Sequence, residues 1–208
     1  MTTVLVVTGG DRVPAEATSG LLPADFVVAA DSGLDHAERL GIRPDVVVGD
    51  FDSVSVEALE RFDGPMERHP VAKDATDLEL ALRLAIDRRP DRIVVIGGHG
   101  GRLDHFLANA LVLTTVPAGI DVEWRAGRAT IHVVRSRTEV EGSPGATVSL
   151  VPVGGDVRGV TTRGLRWPLT DATLTSGSTL GVSNEFAERT AQIEVGTGTL
   201  LVVVPGQS

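Results

Sequence analysis

Ala30-Asp31-Ser32-Gly33 and, one short helical pattern further on, Pro44-Asp45-Val46-Val47-Val48-Gly49-Asp50-Phe51-Asp52-Ser53 decide how this chain is read. Val46 to Gly49 is a valine-rich strand that runs directly into two aspartates spaced i, i+2. In extended chain such side chains point the same way, with Cα atoms roughly 6.6 Å apart, close enough to hold one Mg²⁺ or two adjacent ions. Asp50 and Asp52 are therefore candidate metal ligands. The same residues, with Ser53, also suit a turn and a helix cap before Ser55.

Outward from that stretch, short β-rich runs alternate with helical patterns from Thr3 to about Pro117, the signature of a mostly parallel sheet covered by helices. Strands are predicted at Val4 to Thr8, Phe26 to Ala30, Val46 to Gly49 and Arg92 to Ile96. Helices are predicted at Leu34 to Leu40, stopped by Gly41, and from about Ser55 to Phe62. The clearest helix starts at Thr76, where Leu78, Ala81, Leu82, Ala85 and Ile86 form one apolar stripe. Thr76 and Glu79 there make a capping-box pattern that puts Asp77 in the first turn. A last helix, Leu103 to Leu113, is expected to bury Leu103, Phe106, Leu107, Ala110 and Leu111. After Ala118 helical periodicity stops. Asp121 to Trp124, Thr130 to Val134, Thr147 to Val151, Ala191 to Val195 and Thr199 to Val204 alternate with Gly, Pro, Asp and Ser, the rhythm of an antiparallel β-sandwich. Gly196-Thr197-Gly198 reads as the turn of a terminal hairpin. The expected organisation is an α/β domain over residues 1–118 and an all-β sandwich domain over 119–208.

Composition narrows the functions available. The chain has 208 residues, 42% of them hydrophobic, and a formal net charge of −9. That charge disfavours a nucleic-acid surface, which needs clustered Lys and Arg, but allows a nucleotide wherever divalent cations offset carboxylates. There are no cysteines, so thiol chemistry and disulfides are out, in keeping with the cytoplasm. The N-terminal apolar run is too short and lacks the basic flank of a signal peptide, and no stretch approaches a membrane span. Of the 19 basic residues other than histidine, 18 are arginine. The lone lysine stands in Lys73-Asp74-Ala75-Thr76-Asp77.

In open α/β sheets ligands bind beyond the carboxyl ends of the strands, which puts Asp31, Asp50, Asp52 and the loop Gly97-Gly98-His99-Gly100-Gly101 on one rim, with four segments converging there if Asp77 joins them. That loop can offer backbone N–H groups to an anion. It is neither a Walker loop nor a dinucleotide fingerprint, since no Gly-Lys-Ser/Thr follows and Leu103 stands at the third glycine position. Arg102 suits a phosphate contact, with Asp104 and His105 next to it. In the β half, Gly164-Leu165-Arg166-Trp167-Pro168-Leu169 and Ser183-Asn184-Glu185 stand out, because Trp167 beside Pro168 can offer a flat wall. A buried core position is the ordinary place for either tryptophan, Trp124 or Trp167.

Taken in order, Ala30 to Gly33, Pro44 to Ser53, Lys73 to Asp77, Gly100-Gly101-Arg102-Leu103-Asp104-His105 with Leu107-Ala108-Asn109, Gly164 to Leu169 and Ser183 to Glu185 resemble the thiamine pyrophosphokinase (thiamine diphosphokinase) family. The resemblance implies an α/β domain, a β-sandwich and a homodimer with thiamine pockets between subunits. It also implies transfer of the diphosphoryl unit of ATP to the thiamine hydroxyl, giving thiamine diphosphate and AMP. It assigns Asp31, Asp50, Asp52 and Asp77 to Mg²⁺ and triphosphate, Ser53, Lys73, Thr76, Arg102, Asp104 and His105 to the nucleotide, and Trp167, Ser183 and Asn184 to thiamine. Ser32 stands where a glycine is common, Lys73 where some members carry Gln, and either Phe186 or Trp167 would supply an aromatic wall. Asp50, Asp52 and Asp77 are the expected catalytic carboxylates, with Asp77 first and Asp50 second as acceptor of the hydroxyl proton. On this reading Asp52→Asn abolishes turnover while the fold survives. Two other readings stand beside it. Asp50-Phe51-Asp52-Ser53-Val54 fits the Asp-x-Asp-x-Thr/Val pattern resembling haloacid-dehalogenase phosphatases, with Asp50 as nucleophile, and the chain could instead bind thiamine or nucleotide without catalysis.

Overall fold

The computed structural model describes residues 1–71 and 74–206, in two compact units, Met1–Arg128 and Ala129–Ser208. In the first, β1 (Thr3–Thr8), β2 (Phe26–Ala30), β3 (Val46–Gly49), β4 (Met66–Arg68), β5 (Arg92–Ile96) and β6 (Asp121–Ala126) alternate with α1 (Gly33–Arg39), α2 (Val56–Arg61), α3 (Asp77–Asp87) and α4 (Leu103–Val112). The strands pair in the order β4-β3-β2-β1-β5-β6, every pair parallel. Strands β2 to β4 are laid down on one side of β1 and β5 and β6 on the other, so the chain reverses direction between β1 and β5. Such a reversal leaves the loops after the two strands diverging, and a crevice opens at their carboxyl ends.

The strands are apolar along nearly their whole length because both sheet faces are covered. Leu5, Val7, Val94 and Ile96 pack with Ala37 of α1 on one face. α3 buries Leu78, Leu80, Ala81, Leu82 and Ala85 and packs on β1, β2 and β3. Its N-cap is Thr76, whose hydroxyl accepts the Glu79 N–H at 3.2 Å, and Ser55 caps α2 in the same way through Ala58. Both caps follow from residue type, since Ser and Thr oxygens take the N–H groups that a first helical turn leaves unpaired.

Glu123 on β6 is 7% exposed. It accepts from Arg92 of β5 and, at 2.6 Å, from Arg125 Nε. Arg125 in turn donates to the carbonyls of Ala17 and Ser19 at 2.7 and 2.8 Å. Removing the carboxylate leaves partly buried guanidinium groups without it, and Glu123→Ala is expected to lower the stability of the fold by about 3 kcal/mol in urea denaturation. An unchanged midpoint would show the network to be energetically idle.

The second unit contains β7 (Ala129–Val134), β8 (Arg137–Glu141), β9 (Thr147–Arg163), β10 (Ala172–Leu174), β11 (Asn184–Glu185), β12 (Thr190–Glu194) and β13 (Thr197–Val204), with every pairing antiparallel. β13 lies between β7 and β9, and β12 lies between β8 and β9. The long β9 serves both groups, pairing with β13 through Ser149 to Val153 and with β12 through Thr161 to Arg163. Val148, Leu150, Val157, Val160, Phe186, Ile193 and Leu200 are among the side chains of its core. Among the described residues no helix is long and apolar enough to cross a membrane.

Three sequence expectations differ from the structure. Asp121 to Trp124 belongs to the parallel sheet, with β6 paired to β5, so the units divide ten residues after the boundary drawn at 118. Loss of helical periodicity marks the end of α4 but cannot distinguish a sixth parallel strand from a first sandwich strand. The terminal hairpin does not form. β12 and β13 both pair with β9, and the chain turns between them as Val195 N–H donates to Ser136 O and Gly196 N–H to Arg158 O. Finally, α4 leaves Leu103, Leu107 and Leu111 exposed (70%, 56% and 55%) and buries Asn109 instead. Phe106 turns inward against Trp124, ring centroids 5.2 Å apart.

Candidate active site

A cleft of about 610 Å³ opens at the reversal point of the first unit. Its walls come from the ends of β1 (Thr8, Gly9, Gly10) and β2 (Asp31, Ser32), from the β3 loop (Asp50, Asp52, Ser53), from the entry to α3 (Thr76, Asp77), and from the glycine loop with Arg102, His105 and Asn109. Asp31, Asp50 and Asp77 each present a carboxylate oxygen, all within 4.8 Å of one another. Three segments distant in sequence thus converge on one spot.

The convergence depends on unusual backbone. Asp31 sits at φ 49° and Phe51 at φ 67°, in the left-handed region that side chains other than Gly, Asn and Asp seldom adopt. Gly49 has φ 151°, and a Cβ there would lie 3.1 Å from Asp31 Cβ and 3.2 Å from Asp77 Oδ1. Only glycine lets the two carboxylates close over the end of β3.

Asp31 is 7% exposed. Burial raises its pKa above the ordinary carboxylate value, the Ser53 hydroxyl and the Ser32 N–H pull it back, and the charges of Asp77 and Asp50 push it up again. Ser53 donates a short hydrogen bond to Asp31 Oδ2, but Asp31 Oδ1 is buried without a hydrogen-bond partner. A buried oxygen lacking a donor, on a residue that meets two further carboxylates within 4.8 Å, is an arrangement that a hard cation would relieve. The three residues therefore fit Mg²⁺.

The glycine loop is anchored at its first two residues. Gly97 N–H donates to Arg125 O at 3.1 Å and Gly98 N–H to Gly9 O at 2.7 Å. Gly97 O accepts from Trp124 Nε1 at 2.7 Å and Gly98 O from Asn109 Nδ2 at 3.0 Å. Gly97 has φ 97°, and a Cβ there would meet Thr8 O at 2.2 Å. The N–H groups of Gly97 and Gly98 are thus committed to backbone, and an anion is left with the tip of the loop, Gly100-Gly101, and Arg102.

The other candidates divide as follows. Asp52 lines the cleft but is exposed and outside the carboxylate trio. The extended geometry assumed for Asp50 and Asp52 fails because Gly49 and Phe51 turn the chain to positive φ, and Asp52 N–H folds back onto Asp50 Oδ1 at 3.3 Å. Ser53, Thr76, Arg102 and His105 also line the cleft, and Asp104 does not. Asp104 instead holds Arg102 in a two-pronged pair of 2.6 and 3.2 Å, and the guanidinium keeps its carboxyl down at about 2. Lys73 lies outside the described residues. In the second unit Trp167 is 52% exposed and the Arg166 guanidinium lies 4.9 Å from its ring centroid. Asn184 is buried and clamps Trp167, accepting from its N–H at 3.2 Å and donating to its carbonyl at 2.8 Å. Ser183, at φ 59°, is exposed, with its N–H on Ser149 Oγ. Phe186 is 1% exposed, so of the two aromatic candidates for a wall only Trp167 has an accessible face. Trp124 is the core tryptophan, fully buried.

Thr8-Gly9-Gly10 and Asn109 were not assigned to the site from sequence. The first could have been found by the rule that found Asp31, since a Gly-Gly pair directly follows a predicted strand. Asn109 could have been found as the one polar residue inside an apolar helical stretch.

Two family profiles match the chain: "Thiamin pyrophosphokinase, catalytic domain" over residues 20–123 and "Thiamin pyrophosphokinase, vitamin B1 binding domain" over 129–200. A thiamine pyrophosphokinase of Bacillus subtilis is 29% identical over 98% of each chain. Thiamine pyrophosphokinase 1 of Oryza sativa is 29% identical over 74% of this chain and 64% of its own length. Among solved structures, thiamine pyrophosphokinase from Bacillus subtilis superposes with a TM-score of 0.87 at 28% identity, covering all of both chains. Thiamin pyrophosphokinase from Candida albicans shares the fold, with a TM-score of 0.77 at 14% identity over 98% of this chain and 90% of the other.

Proposed function

The chain belongs to the thiamin pyrophosphokinase family, and from that premise we propose that the cleft of the first unit holds the polyphosphate of ATP through Asp31, Asp50 and Asp77. It is an ATP-dependent diphosphotransferase that converts thiamine and ATP to thiamine diphosphate and AMP. The observation that carries the site assignment is the meeting of three carboxylates within 4.8 Å at the crevice where doubly wound sheets bind nucleotides.

Asp31, Asp50 and Asp77 would hold Mg²⁺, which when bound supplies neutralisation of phosphate charge. The chain's own part is positioning. The Gly100-Gly101 backbone and Arg102, held by Asp104, line the same cleft and would contact the phosphates. The thiamine hydroxyl oxygen forms a bond to the β-phosphorus, the bond from that phosphorus to the α,β-bridging oxygen breaks, and AMP leaves with the bridging oxygen. The hydroxyl proton goes to a cleft carboxylate. We assign it to Asp52 rather than to Asp77 or Asp50, because Asp52 lines the cleft outside the metal-holding group and a carboxylate engaged with a cation is a weak base. Ser53, Thr76 and His105 line the same cleft as nucleotide contacts.

The second unit we read as a β-sandwich whose two sheets share β9, carrying the thiamine contacts Trp167, Ser183 and Asn184. Trp167 offers an exposed ring that Asn184 holds from behind. Asn184→Ala is therefore expected to raise KM for thiamine about tenfold with little change in KM for ATP, since the ring loses its two backbone tethers. Equal changes in both constants would remove Asn184 from the thiamine site. A homodimer is supported by Leu103, Leu107 and Leu111, an apolar stripe exposed along one side of α4. Use of ATP supports a cytoplasmic place of work.

Incubation with ATP, Mg²⁺ and thiamine tests the whole reading. AMP and thiamine diphosphate should form one for one. Phosphate released from phosphomonoesters without thiamine would favour the phosphatase reading with Asp50 as nucleophile, and binding without product would favour a non-catalytic protein.

A further inference from the structure

Arg68, the last residue of β4, is exposed and does not line the cleft. Its Nη1 nevertheless donates to the carbonyl of Asp50 at 2.8 Å, and its guanidinium carbon lies 4.6 Å from the centroid of the Phe51 ring. The register Gly49↔Arg68 between β3 and β4, reinforced by His69 N–H on Gly49 O at 2.8 Å, sets the arginine beside the turn that leaves β3. One side chain therefore holds two consecutive residues of the segment Gly49-Asp50-Phe51.

That segment is the strained part of the site. Phe51 at φ 67° is in a conformation that is strained for an aromatic residue and persists only where its surroundings impose it. From the core side the ring is held among Ala29, Leu34, Val47, Val54 and Ala58. From the solvent side it is held by Arg68. The turn matters because it swings the Asp50 carboxylate toward Asp31 and Asp77, away from the extended course on which it would lie beside Asp52.

We propose that Arg68 is a positioning residue for divalent-cation binding. It keeps the Asp50 turn in its left-handed form by fixing the Asp50 carbonyl and closing over Phe51, so that Asp50 stays within reach of Asp31 and Asp77. This inference rests on the assignment of those three carboxylates to the metal. It is separable from that assignment, because Arg68 is not among the residues that line the cleft. An edge-strand position with an exposed side chain also makes the residue dispensable for the core.

The test is direct Mn²⁺ titration, by electron paramagnetic resonance or calorimetry, of the full chain without ATP, for wild type, Arg68→Ala, Arg68→Lys and Asp50→Asn. Arg68→Ala should weaken Mn²⁺ binding about tenfold, the size typical of partners that orient metal ligands. Arg68→Lys should fall between, since an ammonium can reach the carbonyl but does not stack flat on the ring. The thermal midpoint of Arg68→Ala should stay within about 2 °C of wild type, as expected for an exposed side chain. In turnover assays the Mg²⁺ concentration for half-maximal rate should rise by the same factor while kcat at saturating Mg²⁺ is kept. Wild-type Mn²⁺ affinity in Arg68→Ala overturns the proposal, as does a loss of affinity that merely follows a fall in thermal stability. If wild type itself takes up no Mn²⁺ while Asp50→Asn is indistinguishable from it, the metal assignment fails first and the role of Arg68 with it.

Discussion

Asp50→Asn is expected to lower turnover by about 10²–10³-fold, the loss that follows removal of a group stabilising transition-state charge in a desolvated site, and to weaken divalent-cation binding with it. The amide keeps the shape of the side chain and removes its charge. Asp50 is one of three carboxylates within 4.8 Å, and a trio reduced to two anions holds a dication less firmly. Asp52→Asn should behave differently. Its carboxylate is exposed and outside the trio, so Mn²⁺ affinity should stay near wild type while the rate falls by about 10²-fold at most, the lower end for a lost general base. From the sequence alone Asp52→Asn is expected to abolish turnover; with Asp50 in the trio and Asp52 outside it, the larger loss is expected at Asp50. Equal loss of metal binding in both variants would return Asp52 to the metal group.

Asp31→Asn should make the cation-free protein more stable and inactive at once. Burial is the main reason that the Asp31 carboxyl has a raised pKa, with Asp77 and Asp50 adding to it. A group whose folded pKa lies above its unfolded value contributes stability in full below the unfolded value, and that contribution is lost as pH rises through the folded one. Above that raised value the ionised Asp31 therefore weakens the cation-free fold, and a neutral amide relieves this and raises its thermal midpoint. Cation binding reverses the sign. Because protons and Mg²⁺ compete for the same oxygens, wild-type affinity for the ion should increase with pH until Asp31 is ionised. Mg²⁺ should then raise the thermal midpoint of wild type and leave Asp31→Asn unmoved. A midpoint for Asp31→Asn that falls below wild type in the absence of cation would contradict the burial argument.

Much of the first unit was legible because its determinants are local. Valine-rich runs ending in Gly or Asp gave β2, β3 and β5, and Thr76 with its periodic leucines gave α3 with both its cap and its buried face. The rule that ligands gather at strand carboxyl ends named Asp31 and Asp50 together with Asp52, and Asp77 entered through its place in the first turn of α3 and the family motif. Legibility failed where a choice depended on a partner. The apolar side chains of α4 permit more than one buried face, and only the contact of Phe106 with Trp124 and of Asn109 with the glycine loop selects the one used. β12 and β13 read as a hairpin because they are adjacent in sequence and Gly196-Thr197-Gly198 looks like a turn, whereas β9 is long enough to pair with both and keeps them apart. Asn184 was legible as part of the Ser183 to Glu185 motif, but its two hydrogen bonds to the Trp167 backbone were not, because they join segments far apart in sequence.

The amino-acid sequence by itself determined the family, the alternation of β and α in the first unit, the all-β character of the second and the identity of the acidic residues, since each is written in residue type, spacing and order. Which carboxylates meet was decided only in three dimensions. Positive φ at Asp31, Gly49 and Phe51 bends the ends of two neighbouring strands so that Asp50 turns to Asp31 and Asp77 while Asp52 turns to solvent. Backbone dihedrals of that kind are imposed by packing on both sides of the turn, by the core beneath Phe51 and by Arg68 above it, and no local pattern of letters encodes them.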